Sequence, residues 1–222
     1  MIITQKILTL LFPPKCVLCG KTLHEQETDF CGQCRIDSPI CQVNHRKKLP
    51  FLDSWLGVWY YEDSVRQSLL RYKFHGTRSY AQAYGRALAM KLQQEYPDGV
   101  DLLTWVPISP LRKFKRGYDQ VELLAAAVAA ELEMEAVPLL KKIRHNKPQS
   151  GIQGDAQRRA NVLGAYRVIN PETVKDKKIL LLDDIITTGS TVSECARMLL
   201  TAGAKEIHCG AVAIARRKQR SR

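Results

Sequence analysis

An α/β fold with a largely parallel sheet, joined to a small metal-organised module at the N-terminus, is the architecture this sequence predicts. Three observations carry the prediction. From Asp101 onward, short apolar runs alternate with stretches of helical periodicity. One run, Ile179-Leu180-Leu181-Leu182, is apolar throughout and ends on two adjacent acids. Four of the seven cysteines stand as two Cys-x-x-Cys pairs. Alternating strands and helices build parallel sheets that bind ligands beyond the carboxyl ends of their strands. A run without polar alternation suits a strand covered on both faces.

The first unit spans residues 1–48. Residues 1–12 are apolar, too short for a membrane span, and carry no basic residues ahead of the apolar stretch. A short helix packed on the body is expected there, not a secretory signal. Cys16 and Cys19, then Cys31 and Cys34, make two knuckles separated by eleven residues. Each pair lets two thiolates bite one metal, while Gly20 and Gly32 let backbone N–H groups turn toward the sulfurs. Four thiolates at this spacing predict a closed tetrahedral Zn²⁺ site with a structural role. Iron in a rubredoxin-like site is the chemical alternative. Cys41 has no partner at ligand spacing and receives no role; Cys195 and Cys209 are expected in the core. An odd number of cysteines without a signal peptide points to bound metal in a reducing, cytoplasmic setting rather than to disulfides.

The second unit spans residues 49–222. Residues 51–61 are aromatic and alternate, which predicts a strand. Residues 65–72 and 81–96 show helical spacing. Residues 102–108 read as an apolar strand ending near Pro107, and residues 112–119 as a basic loop. Val121, Leu124, Ala125, Val128 and Leu132 form one helical face. Residues 137–143 read as a short strand. Residues 145–157 contain Pro148, Gly151 and Gly154 without periodicity, a long loop of the kind that in compact domains is either functional or disordered. Strands at 165–169 and 179–182, a helix at 192–200 and a closing strand at 206–215 complete the pattern.

The net charge is +12, and the five cations of the tail Arg216, Arg217, Lys218, Arg220 and Arg222 leave about +7 on the body. The remaining clusters are His45 to Lys48, Arg112 to Arg116 and Lys141 to Lys147. Such a balance suits a polyanionic partner, nucleic acid or phosphate; a well-solvated surface is the plainer alternative. No run of 18 apolar residues exists, so no membrane span is expected.

The segment Asp183-Asp184-Ile-Ile-Thr187-Thr188-Gly189-Ser190-Thr191 carries the sharpest chemistry. A buried strand delivers two carboxylates to a sheet edge, and a tight turn and a helix follow. Gly189 permits backbone geometry closed to other residues. Turn amides and the helix start form an anion nest, to which the hydroxyls add donors. Thr191 and Glu194 have capping-box spacing. Acids beside an anion nest are consistent only if the ligand offers hydroxyls to Asp183 and Asp184 and phosphate to the turn, as a ribose 5-phosphate does. A nucleoside-triphosphate P-loop needs a Gly-Lys-Ser/Thr that is absent here. Arg112, Lys113, Lys115 and Arg116 would face an anion from the end of an earlier strand, with Arg116, before Gly117, the choice for direct contact.

An apolar strand, two acids and Thr-Thr-Gly-Ser-Thr resemble the signature of the type I phosphoribosyltransferases. More narrowly, the chain resembles the ComF family (ComFC and GntX type), linked to natural competence and DNA uptake. The features are the paired cysteines after Phe12-Pro13-Pro14, Tyr72-Lys73-Phe74-His75-Gly76, Pro107 with Arg116-Gly117-Tyr118-Asp119-Gln120, and Gln149 with Arg158, Asn161 and Gly164-Ala165-Tyr166. The resemblance implies the type I phosphoribosyltransferase fold and phosphoribosyl pyrophosphate (PRPP) with Mg²⁺ as ligand. It implies Asp183 and Asp184 on the ribose, and Thr187, Thr188, Gly189, Ser190 and Thr191 on the 5-phosphate. Residues 109–117, with Arg112 and Arg116, would bind pyrophosphate. Residues 145–161, with Arg158, would form a lid, and Lys73 would lie near the ligand. Single-stranded DNA and competence-machinery proteins are the partners implied, and a homodimer is common for the fold. The chain departs from the pattern at Lys147 and at Ile152-Gln153. Transfer to an acceptor, and a non-enzymatic role in sensing PRPP or binding DNA, both fit the sequence.

Overall fold

The computed structural model describes residues 13–42, 49–144 and 155–216. The expected helix at 1–12, most of the expected lid and the basic tail beyond Arg216 lie outside them, as do Lys147 and Ile152-Gln153.

Four strands form the central sheet: β1 (Ser54–Tyr60), β2 (Leu102–Trp105), β5 (Lys178–Ile186) and β6 (Glu206–Ile214). Their order is β1-β6-β5-β2 and every pairing is parallel. All four therefore end at the same edge. The register sets Asp183 opposite Ala211 and Leu182 opposite both Trp105 and Gly210.

The pleat explains the all-apolar run in β5. Leu180 and Leu182 enter one core, while Ile179 and Leu181 enter the core on the opposite face. The first core is closed by α2 (Asp63–Phe74), α3 (Tyr80–Glu95) and α5 (Gln120–Glu131), the last two packed closely on each other. A Cβ at Gly85 would stand 2.6 Å from Ala127 Cβ, so this helix crossing needs glycine. The second core is closed by α8 (Ser190–Thr201), where Cys195 and Cys209 are fully buried as expected. β1 buries four consecutive residues, 56–59, so it is covered on both faces rather than alternating.

Three elements differ from the sequence reading. The basic stretch after β2 is not a loop but a helix, α4 (Pro110–Arg116). It buries none of its residues, so no apolar period announces it; Pro110 at its first turn and left-handed Gly117 at its end are the signals. The short strands β3 (Leu140–Lys142) and β4 (Tyr166–Val168) pair antiparallel, outside the main sheet. The far end of the expected long loop is α6 (Asp155–Val162). The remaining short helices are α1 (Gly32–Asp37) and α7 (Pro171–Val174). Among the described residues no helix is long and apolar enough to cross a membrane.

Candidate functional site

The four predicted ligand sulfurs, of Cys16, Cys19, Cys31 and Cys34, lie within 4.8 Å of one another. Cys19 Sγ and Cys31 Sγ are 3.7 Å apart. Zinc–sulfur bonds of about 2.3 Å in a tetrahedron require a sulfur–sulfur edge of about 3.8 Å, so the donor set and its spacing fit Zn²⁺. None of the seven cysteines is in a disulfide. Burial works against a charged Cys16, but N–H groups of Cys19 and Cys31 aimed at its sulfur outweigh that and bring it down to about 7. This is the knuckle chemistry expected from the spacing. Cys41 lies apart, buried, with its N–H on the Val58 carbonyl.

At the carboxyl edge of the sheet a cavity of about 600 Å³ opens. Asp183, Asp184, Arg116, Thr187, Thr188, Gly189, Ser190, Thr191, Lys73, Arg112 and Arg158 all line it. Two other predicted positions do not. Lys113 turns to Glu122, 2.6 Å away on the surface, and Asn161 stands off the wall.

One end of the cavity is the turn after β5. Gly189 has φ +81 and caps α8, and its missing Cβ leaves room for Leu49: a Cβ there would stand 2.5 Å from Leu49 Cδ2. The hydroxyls of Thr188 and Ser190 lie 2.8 Å apart. The capping box expected from Thr191 and Glu194 does not form, because the helix begins two residues earlier than that box requires, at Ser190, with Gly189 in the cap position. Glu194 instead accepts from Gly164 N–H at 2.8 Å and pairs with Arg197. It thereby fastens the chain after α6 to α8. Burial alone would raise the Glu194 carboxyl; the Arg197 and Gly164 bonds more than offset this and hold it low.

The two acids on the floor have different partners. Asp184 is almost fully buried; its Oδ1 meets Lys73 Nζ at 2.9 Å and its Oδ2 accepts from Gln120 Nε2 at 2.8 Å. Asp183 is more open, and its Oδ1 accepts the Asp184 N–H at 2.8 Å. Burial, then the Asp184 charge beside it, pushes the Asp183 carboxyl well up; Lys73 pulls it partly back. Asp183 is therefore the acid still available to a ligand hydroxyl.

The segment Arg116-Gly117-Tyr118-Asp119-Gln120 is a scaffold for this floor. Asp119 caps α5, accepting from Val121 and Glu122 N–H, and also holds Ile108 N–H at 3.1 Å. Tyr118 donates to the Tyr72 carbonyl. Arg116 donates to Gln120 Oε1 and lies 5.2 Å from the Phe74 ring centre, so its guanidinium steadies the glutamine that holds Asp184.

Arg112, Arg158 and Lys142 add cations to the lining. Lys142 is a residue the sequence reading missed. Its Nζ donates to Tyr166 OH at 3.2 Å and lies over that ring. Burial, then the adjacent Arg112, brings Lys142 down to about 8, and burial likewise lowers Arg112. Leu140 and Lys142 share one face of β3 by the two-residue repeat, which is the signal that singles out Lys142 within its basic cluster.

Compared with known proteins, residues 122–222 match the phosphoribosyl transferase domain and residues 7–45 the double zinc ribbon domain. Fold and site thus define a phosphoribosyltransferase-type domain carrying an N-terminal zinc ribbon. Similarity over most of the chain extends to competence protein F of Haemophilus influenzae, 25% identical over 87% of this chain and 93% of that one. Competence protein ComFC of Streptococcus pneumoniae is 27% identical over 87% and 96%. DNA utilization protein YhgH of Escherichia coli is 26% identical over 86% of each. Over most of its length the chain is thus similar to the ComF-type competence proteins.

Proposed function

We propose that the cavity binds PRPP with Mg²⁺, and that the chain transfers the phosphoribosyl group to an acceptor in the handling of incoming DNA. The observation that carries this reading is the chemistry gathered in one cavity: an anion-binding turn, an open carboxylate and the cations Arg112, Lys142 and Arg158. PRPP presents a counterpart to each: a 5-phosphate, a vicinal diol and a pyrophosphate. The turn at residues 187–191 takes the 5-phosphate, with the α8 N-terminus behind it. Asp183 accepts from the ribose hydroxyls, while Lys73 and Gln120 keep Asp184 from repelling the ligand. In transfer, the bond from the anomeric carbon to pyrophosphate breaks, the electron pair leaves with the pyrophosphate, and the acceptor bonds to that carbon. Charge grows on the leaving oxygens, so Arg112, Lys142 and Arg158 hold the transition state more tightly than the ground state. Asp183 offers the hard oxygen that would hold Mg²⁺, and the ion would supply positive charge against the departing pyrophosphate.

Calorimetry of PRPP with and without Mg²⁺, on the native chain and on Asp183→Asn, tests the reading. Binding that weakens in the variant supports it; no heat of binding at millimolar ligand removes it. A screen of bases, amines and single-stranded DNA for pyrophosphate release then separates transfer from sensing.

A second reading rests on α4. Phe114 is 87% exposed on a helix that also presents Arg112, Lys113, Lys115 and Arg116. Cations interleaved with an exposed ring suit single-stranded nucleic acid, and the similar proteins are named for competence and DNA utilization. Here the cavity senses PRPP while α4 holds DNA. DNA affinity that does not fall steeply with salt, or that ignores Phe114→Ala, rules this out.

A further inference from the structure

The last turn of α2 presents three consecutive residues in three directions. Arg71 Nη2 donates outward to two carbonyls of the first zinc knuckle, Leu18 O at 2.6 Å and Val17 O at 3.1 Å. Ser68, one turn earlier, also donates to Val17 O. Tyr72 points into the core, where its hydroxyl donates to Gln120 O at 2.6 Å. Lys73 points into the cavity and pairs with Asp184. Gln120, held by Tyr72 through its backbone, bonds the other oxygen of that carboxylate. Both supports of Asp184 therefore run through one helical turn whose far side is gripped by the ribbon.

Val17 and Leu18 lie between the ligands Cys16 and Cys19, in a turn closed by Gly20 N–H on Cys16 O at 2.8 Å. A metal on the four sulfurs fixes that turn and so fixes the two carbonyls. The final carbonyls of a helix have no intrahelical partners, so its last turn is the part most readily released when side-chain anchors go.

We propose that Arg71 is a positioning residue for the cavity: it couples the zinc knuckle to the Lys73–Asp184 pair, so that phosphoribosyl ligand affinity depends on the ribbon holding its metal. This rests on the reading of the cavity as a PRPP site. Loss of zinc frees the Val17 and Leu18 carbonyls, Arg71 loses its anchor, and Lys73 leaves Asp184. Two carboxylates then face an anionic ligand without their cation.

Hydrogen exchange on the full chain, without ligand, reads the coupling directly. Zinc-loaded protein, protein stripped with a chelator, and zinc-loaded Arg71→Ala are compared, with zinc content measured in each. Stripping and Arg71→Ala are each expected to speed exchange at residues 71–75 about tenfold while α8 keeps its protection. PRPP affinity is expected to fall about tenfold in each, a typical coupling between sites. The two losses do not add, and Arg71→Lys recovers part of the affinity. In Lys73→Met, stripping zinc no longer changes PRPP affinity. The proposal is overturned if the stripped protein keeps its protection at residues 71–75, or if α8 loses protection equally, which marks general loosening. It is also overturned if the zinc effect persists in Lys73→Met. Should zinc-loaded wild type fail to bind PRPP, the functional reading falls and the exchange measurements alone decide the coupling.

Discussion

The phosphate end of the cavity comes from one unbroken stretch, Asp183 to Val192, whereas the cationic end gathers Arg112, Arg158 and Lys142 from α4, α6 and β3. The first end is rigid by construction: a central strand, a left-handed glycine and a helix start fix it. The second is assembled from separate elements that flank residues 145–154, with Glu194 on Gly164 fastening the chain after α6 to α8. The contrast suggests a division of labour. On the proposed reading, the first end recognises the sugar phosphate and the second grips the leaving group. Ribose 5-phosphate reads the first end alone, and PRPP reads both.

The largest effect is expected where the rigid end has no tolerance. Gly189→Ala places a Cβ into Leu49 and forces a side chain onto φ +81. Strain of this kind costs about 1–3 kcal/mol, and here the turn itself must move. Both ligands are expected to lose binding by about a hundredfold, the equivalent of about 3 kcal/mol, with a lower melting temperature. Titration calorimetry with a parallel thermal melt checks it; if ribose 5-phosphate binds the variant at wild-type strength, this turn does not hold the phosphate.

Next in size is Lys142→Met, which keeps the stem and removes the charge. PRPP affinity is expected to drop about tenfold, as for a charge-assisted bond worth about 1.5 kcal/mol, while ribose 5-phosphate is unaffected. An equal loss for both ligands would abolish the distinction between the two ends.

How much of this was visible in the sequence follows the same division. Asp183, Asp184 and the turn after them are contiguous, so their chemistry could be read from residue order. The four cysteines were legible for the same reason, since ligand spacing is local. Lys142 was not singled out, because only pairing with β4 and the pleat of β3 turn it inward among several lysines. Helix α4 escaped because it buries nothing, and periodicity detects only burial. The expected cap by Glu194 failed because the helix starts earlier, and Glu194 instead holds Gly164, 30 positions away. Arg116 lines the cavity as expected, and its bond to Gln120, which the local sequence did not announce, also supports Asp184. In each case a long-range contact decided what the local pattern left open.

The titrations of the two ends run in opposite senses. Asp183 is raised to about 8 by burial and by Asp184, and it must be ionised to accept a ribose hydroxyl. Ribose 5-phosphate affinity is therefore expected to rise severalfold from pH 6 to 9. Lys142, lowered to about 8, loses its charge over the same range, so PRPP affinity is expected to pass through a maximum near pH 8. In the absence of ligand, the Asp183 contribution to stability is full below about pH 4, the ordinary carboxylate range. It is lost as pH rises through about 8, because the folded chain holds a proton that the unfolded chain releases. The melting temperature of wild type should fall relative to Asp183→Asn between pH 5 and 8. Parallel pH profiles for the two ligands would show that one group governs both ends.

The smallest effect is expected one residue along α4, and it sharpens the assembled end. Arg112 and Lys113 are adjacent cations, and a purely electrostatic account of this helix treats them alike. Their surroundings do not. Arg112 is half-buried in the cavity wall beside Lys142, whereas Lys113 is exposed and paired with exposed Glu122. A surface pair of this kind contributes about 0–1 kcal/mol, and its charge is screened beyond about 10 Å at ordinary salt. Lys113→Ala should therefore leave PRPP affinity within about twofold of wild type, while Arg112→Ala should cost about tenfold, the loss of one charged hydrogen bond. Equal losses, both shrinking as salt is raised, would mean that the helix acts through its overall field and that the wall has no defined contacts.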